Sequence, residues 1–322
     1  MVSELTRAQL SRRAFGKGSA ALLLSGLGGW WAGRSDASEP CRVPANGFVF
    51  DVRIEGPDAG RPVLLLHGFP QNAQTWASVS AALAAAGCRA IAPDLRGYSP
   101  GARPAAAAEY TFAQFRADVL GIADELRLER FDLCGVGMGA ALSWIIAATA
   151  PERVRSLTAL RYPHPAAFAQ ALQSDAGQQE AWRQLEQGLN PGAVESSEAR
   201  AAVMLENDAA RLRSFLQDSG LPKDATERYV ERMQEPGALA AALRRQRAAA
   251  PAAFAAVPAV SVPTLFVWSE GPALTATTAR ATSRYVTGLY EEQFLEGAGH
   301  FLLETTAVDR VIAQLLQHLG RT

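Results

Sequence analysis

The segment FDLCGVGMGAAL, residues 131–142, decides the fold of this chain. Its first four residues form a short, mostly apolar run that is typical of a strand inside a sheet. Three alternating glycines follow at once, and the alanine-rich stretch 140–150 is typical of a helix. A strand, a sharp turn and a helix in immediate succession lift the middle residue, Gly137, above the end of the strand.

Further apolar runs on both sides of this segment predict more strands of the same sheet. They lie at residues 47–55, 63–66, 90–92, 154–160, 264–268 and 292–295. The first alternates apolar and polar residues, as a half-buried strand does, whereas the continuous runs are typical of parallel strands covered on both faces. Helical patterns lie between them, one of them with Thr111 as its N-cap. The alternation predicts an α/β fold with a mostly parallel sheet flanked by helices.

The segment 163–257 interrupts this pattern. It contains no strand signal and is rich in Ala, Arg, Gln and Glu. We interpret it as a helical cap, inserted between the two parts of the core at 44–162 and 258–322. Such an insertion is expected over the carboxyl ends of the strands, where parallel sheets bind ligands.

The N-terminus carries a separate signal. Residues 11–17, SRRAFGK, form a twin-arginine pattern, and a weakly apolar stretch at 19–33 precedes small residues at 35–37. We interpret residues 1–37 as a twin-arginine signal peptide and predict export through the Tat machinery to the periplasm or the exterior. An uncleaved membrane anchor is the alternative. The apolar stretch is glycine-rich and shorter than the about 20 residues that a membrane span needs.

Composition limits the partners. The formal net charge is −1 and no run of basic residues is present, which argues against nucleic-acid binding. The sequence spacing of Cys41, Cys88 and Cys134 does not indicate which two of them could form a disulfide. Cys88 and Cys134 are expected to be small buried residues. No metal-ligand spacing is present. The expected partner is therefore a small molecule, with no metal and no cofactor.

Four motifs carry a family resemblance. They are His67-Gly68-Phe69-Pro70, residues 93–98, the glycine turn at 135–139, and residues 297–301. In this order they resemble the α/β-hydrolase superfamily, and they are most similar to its epoxide hydrolase and haloalkane dehalogenase branch. Pro163-His164-Pro165, which follows a later strand, also resembles a motif of that branch. The likeness covers about residues 44–320. It implies an α/β-hydrolase sheet with a helical cap inserted after the sixth strand.

The same resemblance implies site residues. Gly137 occupies the nucleophile position, and glycine has no side chain with which to form a covalent intermediate. His300 occupies the position of the base, and an unperturbed histidine pKa near 6.5 suits proton transfer at neutral pH. The backbone amides of Phe69 and Met138 would form an oxyanion hole. The position of the family acid holds Pro272, which leaves Glu270 as the nearest carboxylate. Glu270 is the candidate partner that would orient His300; the alternative is a solvated loop glutamate.

The remaining candidates are of two kinds. Some are predicted to line the pocket, and others argue against the activities of the epoxide hydrolase and haloalkane dehalogenase branch. His67, Gly68, Tyr162, His164 and Gln246 are predicted pocket residues. A thiol nucleophile at Cys134 is disfavoured by its place inside a strand. Epoxide hydrolases use cap tyrosines; the matching run here is residues 244–247, and the cap contains only Tyr229. Dehalogenases need a tryptophan where this chain has Met138, so both activities lose support.

Three functional hypotheses follow. The first is an enzyme in which His300 is a general base, the oxyanion hole is made of backbone amides and no covalent intermediate forms. Its reaction would be an atypical hydrolysis, an elimination or a cyclisation of a small lipophilic molecule. The second is a non-catalytic protein that binds a small apolar ligand. The third treats Gly137 as a nucleophile-knockout substitution in an ordinary epoxide- or ester-hydrolase-like enzyme.

Overall fold

A computed structural model describes residues 39–190, 195–248, 254–269, 271 and 273–322. Residues 39–322 form one compact unit. The predicted signal peptide, Glu270 and Pro272 lie outside the described residues. Within the described part of the chain, no helix is both long enough and apolar enough to cross a membrane.

A single eight-stranded sheet organises the unit. Its strands are β1 (Cys41–Ala45), β2 (Phe48–Glu55), β3 (Arg61–Leu66), β4 (Cys88–Pro93), β5 (Phe131–Val136), β6 (Val154–Leu160), β7 (Thr264–Trp268) and β8 (Tyr290–Phe294). Their order across the sheet is β1-β2-β4-β3-β5-β6-β7-β8. The pairs β1–β2 and β2–β4 are antiparallel, and every other neighbouring pair is parallel. The predicted α/β-hydrolase sheet is therefore confirmed.

Strand composition explains this order. The central strands β3, β5 and β7 are almost entirely buried, as expected for parallel strands covered on both faces. The edge strand β1 has only two buried residues among five and contains Pro44, a residue that sheets tolerate at an edge. Because β1 lacks an apolar run, the sequence did not predict it.

Ten helices surround the sheet in the described residues. They are α1 (Ala77–Ala85), α2 (Phe112–Glu125), α3 (Met138–Thr149), α4 (Pro165–Ser174), α5 (Ala176–Leu189), α6 (Ser197–Asp218), α7 (Lys223–Met233), α8 (Ala238–Arg247), α9 (Ala276–Ala281) and α10 (Val308–Leu319). Helices α2 and α3 pack in the apolar cluster on one face of the sheet, and α1 and α10 pack in the cluster on the other. The Thr111 side chain caps α2, as predicted, by accepting a hydrogen bond from the Gln114 amide.

The five helices α4–α8 form the cap and follow β6, the sixth strand, as predicted. Their backbone is not continuous helix throughout, because α6 is interrupted at residues 206–209. Apolar side chains of α6, α7 and α8 form a cluster of their own, which also includes Tyr98 and Phe301 from the core. The cap is thus a packed layer anchored on loops that follow the carboxyl ends of β4 and β8.

Candidate functional site

The turn between β5 and α3 places Gly137 at the carboxyl end of a central strand. Its backbone angles are φ 54° and ψ −122°, a region that residues with a side chain rarely adopt. A Cβ atom built on Gly137 would lie 3.8 Å from the Gly68 Cα atom and would meet no nearer heavy atom. The position is therefore strained for a side chain, but the space in front of it is open.

The flanking glycines serve the turn in a different way. A Cβ atom on Gly139 would collide with the Leu66 carbonyl group, and one on Gly135 would collide with the Ser143 hydroxyl. Both glycines permit the close approach of α3 to β3 and β5. Residues 131–142 thus have the local geometry that their glycine spacing predicted.

A cavity opens in front of Gly137, between the sheet and the cap. Its volume is about 120 Å³. Most of its wall is apolar and comes from the cap, which contributes Phe168, Trp182, Leu185, Leu189, Phe215, Leu216 and Leu243. The lining on the side of the sheet includes Gly137, Met138 and Phe69. The cavity therefore suits a small, mainly apolar molecule.

The two residues predicted to form an oxyanion hole both line this cavity. Met138 is the first residue of α3, so its N–H group is one of the four that have no acceptor within the helix. The helix dipole adds positive potential at that end. Phe69 follows β3 by three residues. Hydrogen-bond donation by both amides to a ligand stays a prediction.

His300 also lines the cavity, beside Phe301. The Arg161 guanidinium lies against its ring, with Nη2 3.0 Å from Nδ1. Because arginine can only donate hydrogen bonds, Nδ1 is the acceptor and the proton of the neutral ring lies on Nε2. Burial of the ring, together with the positive charge of Arg161, lowers the pKa of His300 to about 3. At neutral pH this side chain is an uncharged Nε2–H donor.

Arg161 was not among the predicted site residues. It follows β6 directly and has a positive φ of 66°. Its Nη1 atom donates to the Ser269 carbonyl oxygen and, at 3.3 Å, to the Ser269 hydroxyl. Ser269 in turn donates to the Gly299 carbonyl oxygen. Arg161 therefore links the ends of β6 and β7 to the loop that carries His300. Glu270, the predicted partner of His300, lies outside the described residues.

Three of the predicted pocket residues, His67, Gly68 and His164, do not line the cavity. His67 is fully buried, donates from Nδ1 to the Gly68 carbonyl oxygen and accepts from the Leu95 amide at Nε2. Burial, assisted by the positive charge of Arg245, lowers the pKa of His67 to about 3. His67 is not part of the cavity wall. Gly68 does not line the cavity either, although its Cα atom would lie 3.8 Å from a Cβ atom built on Gly137.

His164 is the third predicted pocket residue outside the cavity wall. Its Nδ1 atom accepts from the Ala166 amide at the start of α4, and its Nε2 atom donates to the Pro258 carbonyl oxygen. The ring stacks on Tyr285 with 4.8 Å between centroids. Burial lowers the pKa of His164 to about 4. Both ring nitrogens are therefore occupied by backbone hydrogen bonds that fix the start of α4, the first helix of the cap.

Tyr162 and Gln246, the remaining predicted pocket residues, line the cavity. Tyr162 is 9% exposed, and its hydroxyl has no hydrogen-bond partner among the described residues. Burial raises the pKa of this hydroxyl, so it stays protonated at neutral pH. The cap tyrosine Tyr229 is engaged elsewhere, since its hydroxyl donates to Glu304 Oε1 at 2.8 Å.

Cys88 and Cys134 are buried, as the sequence predicted. All three cysteines are free thiols, and Cys41 is exposed. Complete burial within β5 raises the pKa of the Cys134 thiol, which opposes a nucleophilic role. Among the described residues, no three His, Cys, Asp or Glu side chains are grouped so that they could hold a metal ion.

The fold and the elbow define a class of protein. Residues 61–307 match the family model of the α/β hydrolase fold. The chain belongs to the α/β-hydrolase superfamily and, by its relatives, to the epoxide hydrolase branch.

Among these relatives is the AB hydrolase superfamily protein YfhM of Bacillus subtilis, which is 30% identical over 76% of this chain and 85% of its own length. Epoxide hydrolase A of Mycobacterium tuberculosis is 28% identical over 86% of this chain and 96% of its own length. A solved epoxide hydrolase structure from metagenomes of hot environments superposes with a TM-score of 0.74 at 26% identity, covering 87% of this chain and 98% of that one.

Proposed function

We propose that this chain binds a small, mainly apolar organic molecule in front of Gly137 and forms no covalent intermediate with it. The open space at Gly137 carries the proposal, because the elbow presents a cavity where an active hydrolase would present a nucleophile. The cavity combines a mostly apolar wall with a smaller number of polar side chains, which is the usual composition of a small-molecule site.

The state of His300 favours binding over turnover. A general base is most effective when its pKa lies near the working pH, and that of His300 is lowered to about 3. In the neutral ring the acceptor nitrogen Nδ1 already receives a hydrogen bond from Arg161. The nitrogen that remains, Nε2, carries a proton and donates.

The test is ligand capture. Native mass spectrometry of the purified protein, followed by extraction, should recover an apolar molecule, and recombinant protein stripped of it should rebind it. Leu185→Trp places a large side chain in the cavity wall and should weaken rebinding at least tenfold. Leu126→Trp changes a partly buried leucine at the end of α2, outside the wall, and serves as the matched control. Equal binding by both variants would contradict a ligand site in this cavity.

A second candidate is an enzyme in which His300 is a general base. The observation in its favour is that the His300 ring, Gly137 and both amide-bearing residues line one cavity. Esters, epoxides and enolisable ketones form the substrate panel, with His300→Ala as the comparison. Turnover that is lost in His300→Ala would replace the binding proposal. Unchanged turnover in that variant would remove this candidate.

We also propose export by the twin-arginine route, supported by the sequence of residues 11–17. Tat exports folded proteins, and free thiols in the compact unit do not require an oxidising compartment for folding. Replacing Arg12 and Arg13 together by lysine should leave the protein inside the cell, as measured by fractionation of the native host. Unchanged export by this double variant would reject the route.

A further inference from the structure

Two backbone amides are the predicted hydrogen-bond donors of the cavity. Met138 begins the 12-residue helix α3, so its N–H group has no acceptor within the helix, and Phe69 is the second predicted amide donor. Both residues line the cavity, so their amides are the candidate donors to a ligand.

Arg161 makes His300 a donor as well. In the triad arrangement of hydrolases, the carboxylate accepts a hydrogen bond from histidine Nδ1–H, which leaves Nε2 free to accept a proton. Here a guanidinium donates to Nδ1 at 3.0 Å, so the ring proton must be on Nε2. The hydrogen-bonding polarity of the ring is thereby reversed.

Arg161 is held in this position. It donates to both oxygen atoms of Ser269, which itself bonds to the Gly299 carbonyl oxygen immediately before His300. The guanidinium and the imidazole are therefore fixed by the same set of contacts, and the reversed polarity belongs to the folded structure rather than to one rotamer.

We propose that Arg161 is a positioning residue that fixes His300 as an Nε2–H donor, so that the cavity selects apolar molecules that end in an oxygen anion, namely carboxylates. This inference rests on the proposed binding function and specifies its ligand class. The carboxylate oxygens would accept from the Met138 and Phe69 amides and from His300 Nε2–H, while the alkyl part contacts the cap.

The tautomer is tested without any ligand, by ¹⁵N NMR of histidine-labelled protein. Wild-type His300, assigned by loss of its signals in His300→Gln, should show a pyridine-type Nδ1 and a pyrrole-type Nε2 between about pH 5 and 8. In Arg161→Met the His300 signals should shift toward a mixture of tautomers, and the pKa should rise. Arg284→Met, which removes an exposed arginine outside the cavity wall, should leave the signals unchanged. A protonated Nδ1 in the wild type would overturn the assignment of Arg161.

Ligand class is tested by calorimetry with n-alkyl carboxylates from butanoate to dodecanoate and with the primary alcohols of the same lengths. Charge-assisted hydrogen bonds lead us to expect at least about tenfold tighter binding of the carboxylate. This preference should shrink in Arg161→Met and persist in Arg284→Met. Equal binding of acid and alcohol would overturn this inference while leaving the proposed function intact. If neither series binds and no ligand is captured from the native host, the proposed function itself fails.

Discussion

Replacement of Gly137 by alanine measures whether the elbow retains the strained geometry of a nucleophile position. The backbone angles of Gly137 are φ 54° and ψ −122°, and holding a residue with a side chain in such a region costs of order 1–3 kcal/mol. A new Cβ atom would meet nothing closer than 3.8 Å, so steric collision adds nothing. The smaller backbone entropy of alanine in the unfolded chain offsets about 0.4–1 kcal/mol of this loss in the free energy of unfolding. We therefore expect Gly137→Ala to lower the free energy of unfolding by about 1–2 kcal/mol.

Two other glycines serve as comparison positions, one with a smaller and one with a larger expected loss of stability. Gly320 directly follows α10 with φ −70°, and an added Cβ atom would lie 3.4 Å from the Leu316 carbonyl oxygen. Gly320→Ala should therefore change the stability by less than about 0.5 kcal/mol. Gly139→Ala would drive a Cβ atom into the Leu66 carbonyl group and should cost more than Gly137→Ala. The expected order of destabilisation is Gly139, then Gly137, then Gly320.

Urea unfolding followed by circular dichroism provides the measurement. The slope of the free energy against urea should be the same for the wild type and for each variant that folds, because the surface exposed on unfolding is unchanged. A Gly137→Ala protein as stable as Gly320→Ala would refute the reasoning, since it would mean that the turn at 137 relaxes to an ordinary conformation.

Three further predictions follow from the site and the cap. Gly137→Asp should not restore fast epoxide hydrolysis, because His300 presents Nε2–H instead of an acceptor; rapid turnover of styrene oxide by this variant would favour a simple nucleophile knockout. His67 and His300 have pKa values of about 3 in the folded protein and about 6.5 when unfolded. Between these values the unfolded state binds more protons, so the free energy of unfolding should fall on acidification from about pH 6.5, by about 1.4 kcal/mol per pH unit for each of these two residues. Urea midpoints that stay constant between pH 7 and 5 would contradict this. Tyr229→Phe removes the hydrogen bond to Glu304 and should cost about 1–2 kcal/mol without changing ligand affinity; a large loss of affinity would instead place Tyr229 in the site.

The fold was accessible from the sequence because its signals are local. Residues 131–142 contain a strand, a glycine turn and a helix in one stretch, and the structure places β5, the elbow and α3 there. The apolar runs predicted seven of the eight strands. The exception, β1, is held by pairing with β2, and cross-strand pairing at an edge leaves little trace in the composition of so short a segment.

The candidate site was predicted only in part. Gly137, Met138 and Phe69 lie next to strand ends, so that their motifs determine their place, and all three line the cavity. His67 and His164 are equally close to motifs but point into the protein, where both of their ring nitrogens are hydrogen-bonded. Burial and the direction of a side chain depend on what packs behind the turn, and that information is distant in the sequence.

The sequence by itself determined that a glycine occupies the elbow and that a histidine follows the last strand. Only the tertiary structure decided what that histidine can do. Arg161 and His300 are 139 residues apart in the chain, and they meet because β6, β7 and β8 are neighbours in the sheet. A hydrogen bond over such a separation has no local signature, yet it determines which ring nitrogen carries the proton and whether the cavity offers a base or a donor.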